Sequence, residues 1–432
     1  MSHYPPKVAA AVVIANMIGT GVFTSLGFQL IDIQSAPVIM ALWLIGGVSA
    51  LCGALSYAEL GAALPRSGGE YHFLTDIYHP CAGFISGWVS ATVGFAAPSA
   101  LAALTFGSYL SSSGVGADPL WLATLAIIAL TAAHCSTRRH SGNTQTLFTV
   151  LKLTLIVVFS FAALVFSPTE RQATFLWGEE ASALLGSGAF AVSLIYVNYA
   201  YSGWNAATYI SGELAAPQKS LPWVLGISTT IVAALYCLLN FVFLSVAPID
   251  EVVGKVEVGI IVAEFAFGKK IGSAMGLLLA LLLISTISAM ILAGPRVLHR
   301  IGQDYPRSAP IARENKDGIP INAILLQSGT ALLFLWTASF EQILIFSGAT
   351  MALNTFATVL GLFVLRWQRP QLSRPFSVTL YPITPLIFLA ITGWTLTYIV
   401  LQRPVEALIS AAIVASGGFF YWLVTATAPR TQ

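Results

Sequence analysis

Polar positions along this chain gather in short clusters. Between them run stretches of about twenty apolar residues, the length that crosses the hydrocarbon core of a bilayer as a helix. About twelve such runs can be marked: 8–31, 37–64, 82–110, 120–135 and 147–166, then 184–212, 223–247, 271–298, 322–336 and 342–365, and finally 382–401 and 407–424. The pattern predicts an all-α integral membrane protein with about twelve transmembrane helices. Two of the runs are interrupted from within. In the first, Asn16-Met17-Ile18-Gly19-Thr20-Gly21-Val22-Phe23 sets two glycines around a threonine. A local break there frees the C=O groups that end one half-helix and the N–H groups that begin the next. Such groups survive at membrane depth only inside protein or beside a polar cavity. The N–H groups of Thr20 and Gly21 would stand at the positive end of a half-helix, which suits a carboxylate. The same glycines would also let neighbouring helices approach closely. The sixth run carries a matching interruption, Tyr199-Ala200-Tyr201-Ser202-Gly203-Trp204-Asn205.

Composition removes the soluble classes, because 432 residues with 56% hydrophobic and only 9% charged side chains cannot cover a water-facing surface. The first run opens close to Met1 behind a single Lys7, outlasts a signal peptide and lacks a small-residue cleavage pattern, so no cleaved signal is expected. A net charge of +2 spread over short loops leaves no nucleic-acid footprint. Placing the N-terminus inside puts Lys7, Arg66, Arg138, Arg139, Lys219, Arg296, Arg300, Arg307, Arg313, Lys316, Arg366, Arg369, Arg374 and Arg430 on the cytoplasmic face. Only Arg171, Lys255, Lys269, Lys270 and Arg403 fall outside. The asymmetry supports a multi-pass protein of the cell membrane with both termini cytoplasmic. Breaks five helices apart then belong to halves that enter the membrane from opposite sides, as in the inverted repeats of secondary transporters. The halves would span 1–167 and 168–367, with 368–432 as two trailing helices.

Cys52, Cys81, Cys135 and Cys237 lie within or at the ends of apolar runs and read as packing residues. His134 and His140, with no carboxylate partners, sit at a cytoplasmic helix end, and His72, His79 and His299 look peripheral, so neither a metal site nor a membrane-embedded enzyme is expected. A channel is disfavoured by the lack of charge rings or a carbonyl filter. After the second run, Pro65-Arg66-Ser67-Gly68-Gly69-Glu70-Tyr71 predicts a helix end and a short amphipathic cytoplasmic helix. The mixed stretch 248–270 predicts one or two short helices over the outside of a cavity.

At these residues the sequence resembles the amino acid-polyamine-organocation superfamily, and within it the L-type amino acid transporter branch, over nearly its whole length. The resemblance rests on Gly19-Thr20-Gly21-Val22-Phe23, on Tyr57-Ala58-Glu59-Leu60 running into Pro65 to Tyr71, and on Gly83-Phe84 with Gly87-Trp88. It continues through Ala200 to Asn205, Glu213 with Pro217 and Pro222, and Gly294-Pro295-Arg296-Val297. It implies a LeuT-type five-plus-five inverted repeat with two trailing helices, moving an amino acid by alternating access without a cofactor. The substrate carboxylate would meet the backbone of Gly19, Thr20 and Gly21 together with the Thr20 hydroxyl. The substrate ammonium would meet the carbonyls near Met17 and Ile18 and from Tyr199 through Ala200 to Ser202 and Gly203. Tyr199 stands where related carriers place an aromatic gate, Asn205 at the inner pocket edge, and Asn16 where it would brace the unwound turn. Packing or helix–helix hydrogen bonding would account for the same three residues.

Lys152 is the one charge deep inside an apolar run, where charge is costly and usually functional. The resemblance implies that its ammonium replaces the cation of sodium-coupled relatives, bridging the first helix to Ser285, Thr286 and Ser288. Snorkelling to the cytoplasmic surface is the competing reading. The expected activity is sodium-independent exchange of neutral L-amino acids, with proton-coupled symport through Lys152 as the alternative. No deep acidic residue is evident for a cationic substrate. The loop 111–119 lacks the cysteine that joins eukaryotic relatives to a heavy chain, so no disulfide-linked partner is expected. The short tails imply no regulatory domain.

Overall fold

The computed structural model describes residues 5–136, 142–167, 173–214 and 216–426. Arg138, Arg139, His140, Arg171, Arg430 and the side chain of Glu213 lie outside the described residues. The first apolar run becomes α1 (Pro6–Met17) and α2 (Gly21–Asp32), separated by the anticipated break, and the second becomes α3 (Ala36–Ala63). A short α4 (Glu70–Ile77) follows on the loop side, burying Phe73, Leu74 and Ile77. The third run is α5 (Pro80–Val89) and α6 (Ala96–Leu110), joined by a π-helical turn over Ser90–Phe95 that the apolar pattern does not reveal. Next come α7 (Pro119–Ser136), α8 (Gly142–Phe166) and the short α9 (Glu179–Leu184).

The sixth run is α10 (Gly188–Tyr201), which unwinds at Ser202 and resumes as a 3₁₀ helix over Ala206–Glu213. The seventh is α11 (Pro217–Val246). Two short helices, α12 (Ile249–Val252) and α13 (Val258–Phe267), fill the stretch expected to cover a cavity. The eighth run is α14 (Lys269–Ala293), continuing past Gly294 into α15 (Pro295–Asp304). The chain closes with α16 (Ile321–Thr337), α17 (Phe340–Gln368), α18 (Ile383–Gln402) and α19 (Pro404–Thr425). Every regular element among the described residues is helical. Among the described residues, ten spans are long and apolar enough to cross a membrane. The sixth and ninth runs form helices of 14 and 17 residues, shorter than that standard, and α10 is short because the backbone breaks.

Helices that face lipid carry apolar side chains outward, as Val158, Phe161, Val165 and Phe166 do on α8 and Leu408, Phe419 and Trp422 on α19. Among the described residues, two large cores dominate the interior beside two small clusters. One gathers Trp43 and Tyr57 of α3, Tyr201 of α10 and Tyr236 of α11, together with α1, α2 and α8. The other joins α6, α7, α16 and α17 through residues such as Leu101, Ile127, Ala331 and Ile345. In the first, α3 lies along α11; α6 likewise lies along α14. The aromatic packing is tight, with Trp43 and Tyr236 edge to face at 5.6 Å and Tyr57 and Trp204 at 4.7 Å, geometries that add to the burial of their large apolar surfaces.

One face is braced by ion pairs. Glu59, almost fully buried on α3, receives two hydrogen bonds from Arg366 at 2.8 and 2.7 Å and one from the Val378 N–H at 2.7 Å. Arg369 meets Asp76 of α4 at 2.7 Å. Removing one partner would strand the buried Glu59 charge, which makes this joint costly to open.

Candidate functional site

The two breaks meet. α1 ends with Ile18 in a non-helical conformation, and the Gly19 N–H turns back to the Met17 carbonyl at 2.8 Å. α2 restarts at Gly21, so its first N–H groups lack intrahelical acceptors. On the other side Ser202 leaves the helix and Gly203 adopts φ +99°, a region that glycine enters without a Cβ penalty. A Cβ on Gly203 would stand 2.8 Å from the Asn16 carbonyl carbon, and one on Gly21 would stand 2.5 Å from the Ala200 Cα. Gly21 is therefore small so that α10 can touch it. Gly19 differs, for a Cβ there would meet nothing within 4 Å.

Tyr236 of α11 holds the breaks in register. Its hydroxyl donates to the Met17 carbonyl at 2.6 Å and is shared with the Ala200 carbonyl at 3.2 Å. Its sequence context, a hydroxyl in the middle of an apolar span with Asn240 one turn on, was the available signal. Lys152 is buried, and its Nζ donates to the Ile18 carbonyl at 3.3 Å and to Thr286 Oγ1 on α14 at 2.8 Å. The ammonium thus joins the first break to the eighth run and does not reach the surface, against the snorkelling alternative. Of the three hydroxyls expected around it, Thr286 alone is bonded to it among the described residues. Ser285 lines the cavity, and Ser288 pairs with His134 Nε2 on α7 at 2.8 Å. Successive helical residues point about 100° apart, so neighbours of Thr286 must face other directions. His134, expected at the periphery, is buried.

A cavity of about 1280 Å³ lies between the two cores. Met17, Gly19, Thr20, Gly21, Tyr199, Ala200, Ser202, Gly203 and Asn205 line it, so the candidate substrate residues converge on one space, while Ile18 stands behind the break with Lys152. The π-helical turn adds Ser90, Val93, Gly94 and Phe95 to the wall, and α17 adds Ser347, Gly348 and Met351. Asn16 also lines the cavity, but its side-chain amide donates to the Val12 carbonyl of its own helix at 2.8 Å, so its contribution to the break is backbone packing against Gly203. The exposed Arg66, Arg296, Arg300 and Asp304 ring the mouth. His72 stands there too, its imidazole held below the ordinary histidine pKa by burial and secondarily by Arg66.

The far end is closed. Gln29 of α2 donates to the Ser193 carbonyl of α10 at 3.3 Å and accepts from Trp43 at 3.1 Å, and Phe28 stacks on Phe340 at 5.2 Å. Above them the Gly254 N–H binds the Gly27 carbonyl at 2.8 Å, fastening the segment between α12 and α13 to α2. Tyr109 of α6 accepts from the Gly259 N–H of α13 at 3.1 Å.

Asn205 stands at the pocket edge as expected, but the group that holds it was not foreseen. Its amide donates to Glu70 Oε1, which also accepts from the Tyr57 hydroxyl at 3.0 Å. Glu70 begins α4 and has no exposed surface. A carboxylate directly after Gly68-Gly69 at a helix start was the signal for it.

Two broken helices that meet around a one-sided cavity inside a bundle of membrane spans define a multi-pass carrier architecture rather than a pore. A family model described as amino acid permease matches residues 7–429, and the chain belongs to that family. It is 28% identical to the mouse (Mus musculus) large neutral amino acids transporter small subunit 2, an alignment that covers 96% of this chain and 79% of the relative. It is 26% identical to the mouse Asc-type amino acid transporter 1 over the same shares, and 25% identical to the human (Homo sapiens) b(0,+)-type amino acid transporter 1 over 96% of this chain and 86% of the relative.

Proposed function

We propose that this permease exchanges neutral L-amino acids across the cell membrane without sodium, by alternating access. The observation that carries the reading is the Lys152 ammonium between the Ile18 carbonyl and the Thr286 hydroxyl, a position that leaves a fixed positive charge where a coupling cation would otherwise bridge the same elements. The substrate carboxylate binds the free N–H groups at Thr20 and Gly21, with Gly19 giving access, because these groups face the cavity at the positive end of α2. The ammonium binds carbonyls around the second break. The Met17 carbonyl already accepts from Tyr236 and from the Gly19 N–H, whereas the Ile18 carbonyl accepts from Lys152 and keeps one lone pair. Among the described residues, the charged side chains lining the cavity sit at its mouth, which favours a neutral substrate side chain. The name of one relative, a large neutral amino acids transporter subunit, points the same way.

The halves 1–167 and 168–367 act as inverted repeats, with 368–432 trailing. The breaks lie five spans apart, and so do the packed pairs α3 with α11 and α6 with α14, which is the pairing such a repeat requires. The Arg-rich mouth faces the cytoplasm together with both termini, so the cavity is open inward. Although the mouse large neutral amino acids transporter relative is named a small subunit, the 111–119 loop has no cysteine for a disulfide to a larger chain.

Purified protein in sodium-free liposomes is expected to take up a neutral L-amino acid, and substrate loaded inside is expected to accelerate that uptake. Strict dependence on sodium would overturn the role given to Lys152. Concentrative uptake driven by a proton gradient into substrate-free vesicles would replace exchange by symport.

A further inference from the structure

Glu70 is not a surface carboxylate although it follows a cytoplasmic loop. It has no exposed surface, accepts from both Asn205 and Tyr57 at Oε1, and its Oε2 has no hydrogen-bond partner among the described residues. The Tyr209 ring closes the site from the 3₁₀ segment, lying where a Cβ on Gly69 would come within 2.7 Å. A buried carboxylate is acceptor-only when ionised, whereas an asparagine amide has one donor end and one acceptor end. Glu70 therefore selects the orientation of Asn205, engaging the amide nitrogen and leaving Oδ1 as the end that does not bond to the carboxylate. Asn205 lines the cavity.

We propose that Glu70 is a positioning residue for substrate selection: it fixes the Asn205 amide so that the inner pocket edge presents an acceptor without a net charge. The inference rests on the carrier reading above and deepens it by assigning how that edge is set. Neutral amino acids are favoured because the negative charge is kept one residue behind the pocket wall, where Asn205 and Tyr57 hydrogen-bond to its Oε1.

The test exchanges the two groups. Binding of leucine and lysine to purified protein is measured by radioligand competition for wild type, Glu70→Gln, and the double variant Glu70→Gln with Asn205→Asp, alongside thermal unfolding in detergent. Glu70→Gln can offer the amide nitrogen as well as the oxygen to Asn205, so leucine affinity is expected to fall about fivefold or more while unfolding stays within a few degrees of wild type. In the double variant the hydrogen bond runs the other way, from the introduced amide on α4 to the introduced carboxylate at the pocket edge, and the charge moves with that carboxylate. Its lysine-to-leucine preference is expected to rise at least about tenfold over wild type, a change that a merely structural role would not produce. Wild-type affinity in Glu70→Gln, or unchanged selectivity in the double variant, overturns the proposal. If Glu70→Gln does not fold, the double variant decides alone, and failure of both to fold assigns the cluster to structure and also overturns it. A wild-type protein that binds no neutral amino acid defeats the carrier reading itself, an outcome visible before any variant is made.

Discussion

The two helix breaks face the same cavity but are held by different means. The break after α1 is open: Gly19 has no neighbour at its Cβ position, and charge and hydroxyl groups from α8 and α11 hold its carbonyls. The break after α10 is packed: Gly203 is pressed on Asn16, and the residues beyond it resume as a 3₁₀ helix with Asn205 tied to Glu70. An opening held by hydrogen bonds can rearrange when a ligand competes for them. One held by steric fit moves as a body or not at all. On the proposed function, the difference would give ligand contact with free backbone mainly to the first break and alignment of the pocket to the second.

The largest effect that would probe this contrast is expected from Gly203→Ala. Its positive φ alone costs roughly 1–3 kcal/mol for a residue with a Cβ, and the contact with Asn16 adds to it. A marked drop in the detergent unfolding temperature and loss of monodisperse protein should follow; wild-type unfolding would show that the second break is not held by packing. Lys152→Ala comes next. A charge-assisted hydrogen bond in a buried site contributes about 1.5–3 kcal/mol, so exchange in liposomes should slow about tenfold or more while substrate affinity changes by less than about threefold. Lys152→Arg should not restore the rate, because a planar guanidinium does not fit between the Ile18 carbonyl and Thr286. Wild-type exchange in both variants would end the bridging role. Smallest in stability is Gly19→Ala, whose methyl has open space around it. Its unfolding temperature should match wild type while substrate affinity falls about tenfold, and unaltered affinity would place the carboxylate elsewhere.

Much of this architecture was legible in the chain. Most of the roughly twelve apolar runs correspond to observed helices within a few residues, ten of them in spans long enough to cross a membrane among the described residues, because bilayer thickness fixes their length, and glycine beside small polar residues marks both breaks. The link from Lys152 to the first and eighth runs was also readable from the resemblance. Which hydroxyl it meets was not. Ser285, Thr286 and Ser288 differ only in their angle around α14, and a shift of one residue turns a side chain from Lys152 to the cavity, of two residues to His134. The π-helical turn at Ser90–Phe95 leaves no compositional mark, since inserting one residue into an apolar helix preserves its hydropathy. Tyr236 and Glu70 act through partners far away in sequence, and no local period reports such pairings. Gly21 reads both as a backbone contact for the substrate and as room for a neighbouring helix, and a Cβ there would meet Ala200.

The one-sided mouth also bears on pharmacology. The cavity wall contains none of residues 248–270, which cover the opposite end, and at about 1280 Å³ it exceeds what a single amino acid fills. A bulky blocker with an amino acid head group could lodge there from the Arg-rich side, with its tail among Arg66, Arg296 and Arg300, and still be excluded from the other side by α12 and α13. Inhibition would then depend on the face to which the compound is applied. A compound that carries a negative charge at the end of its tail would gain most, because that end would rest among the guanidinium groups.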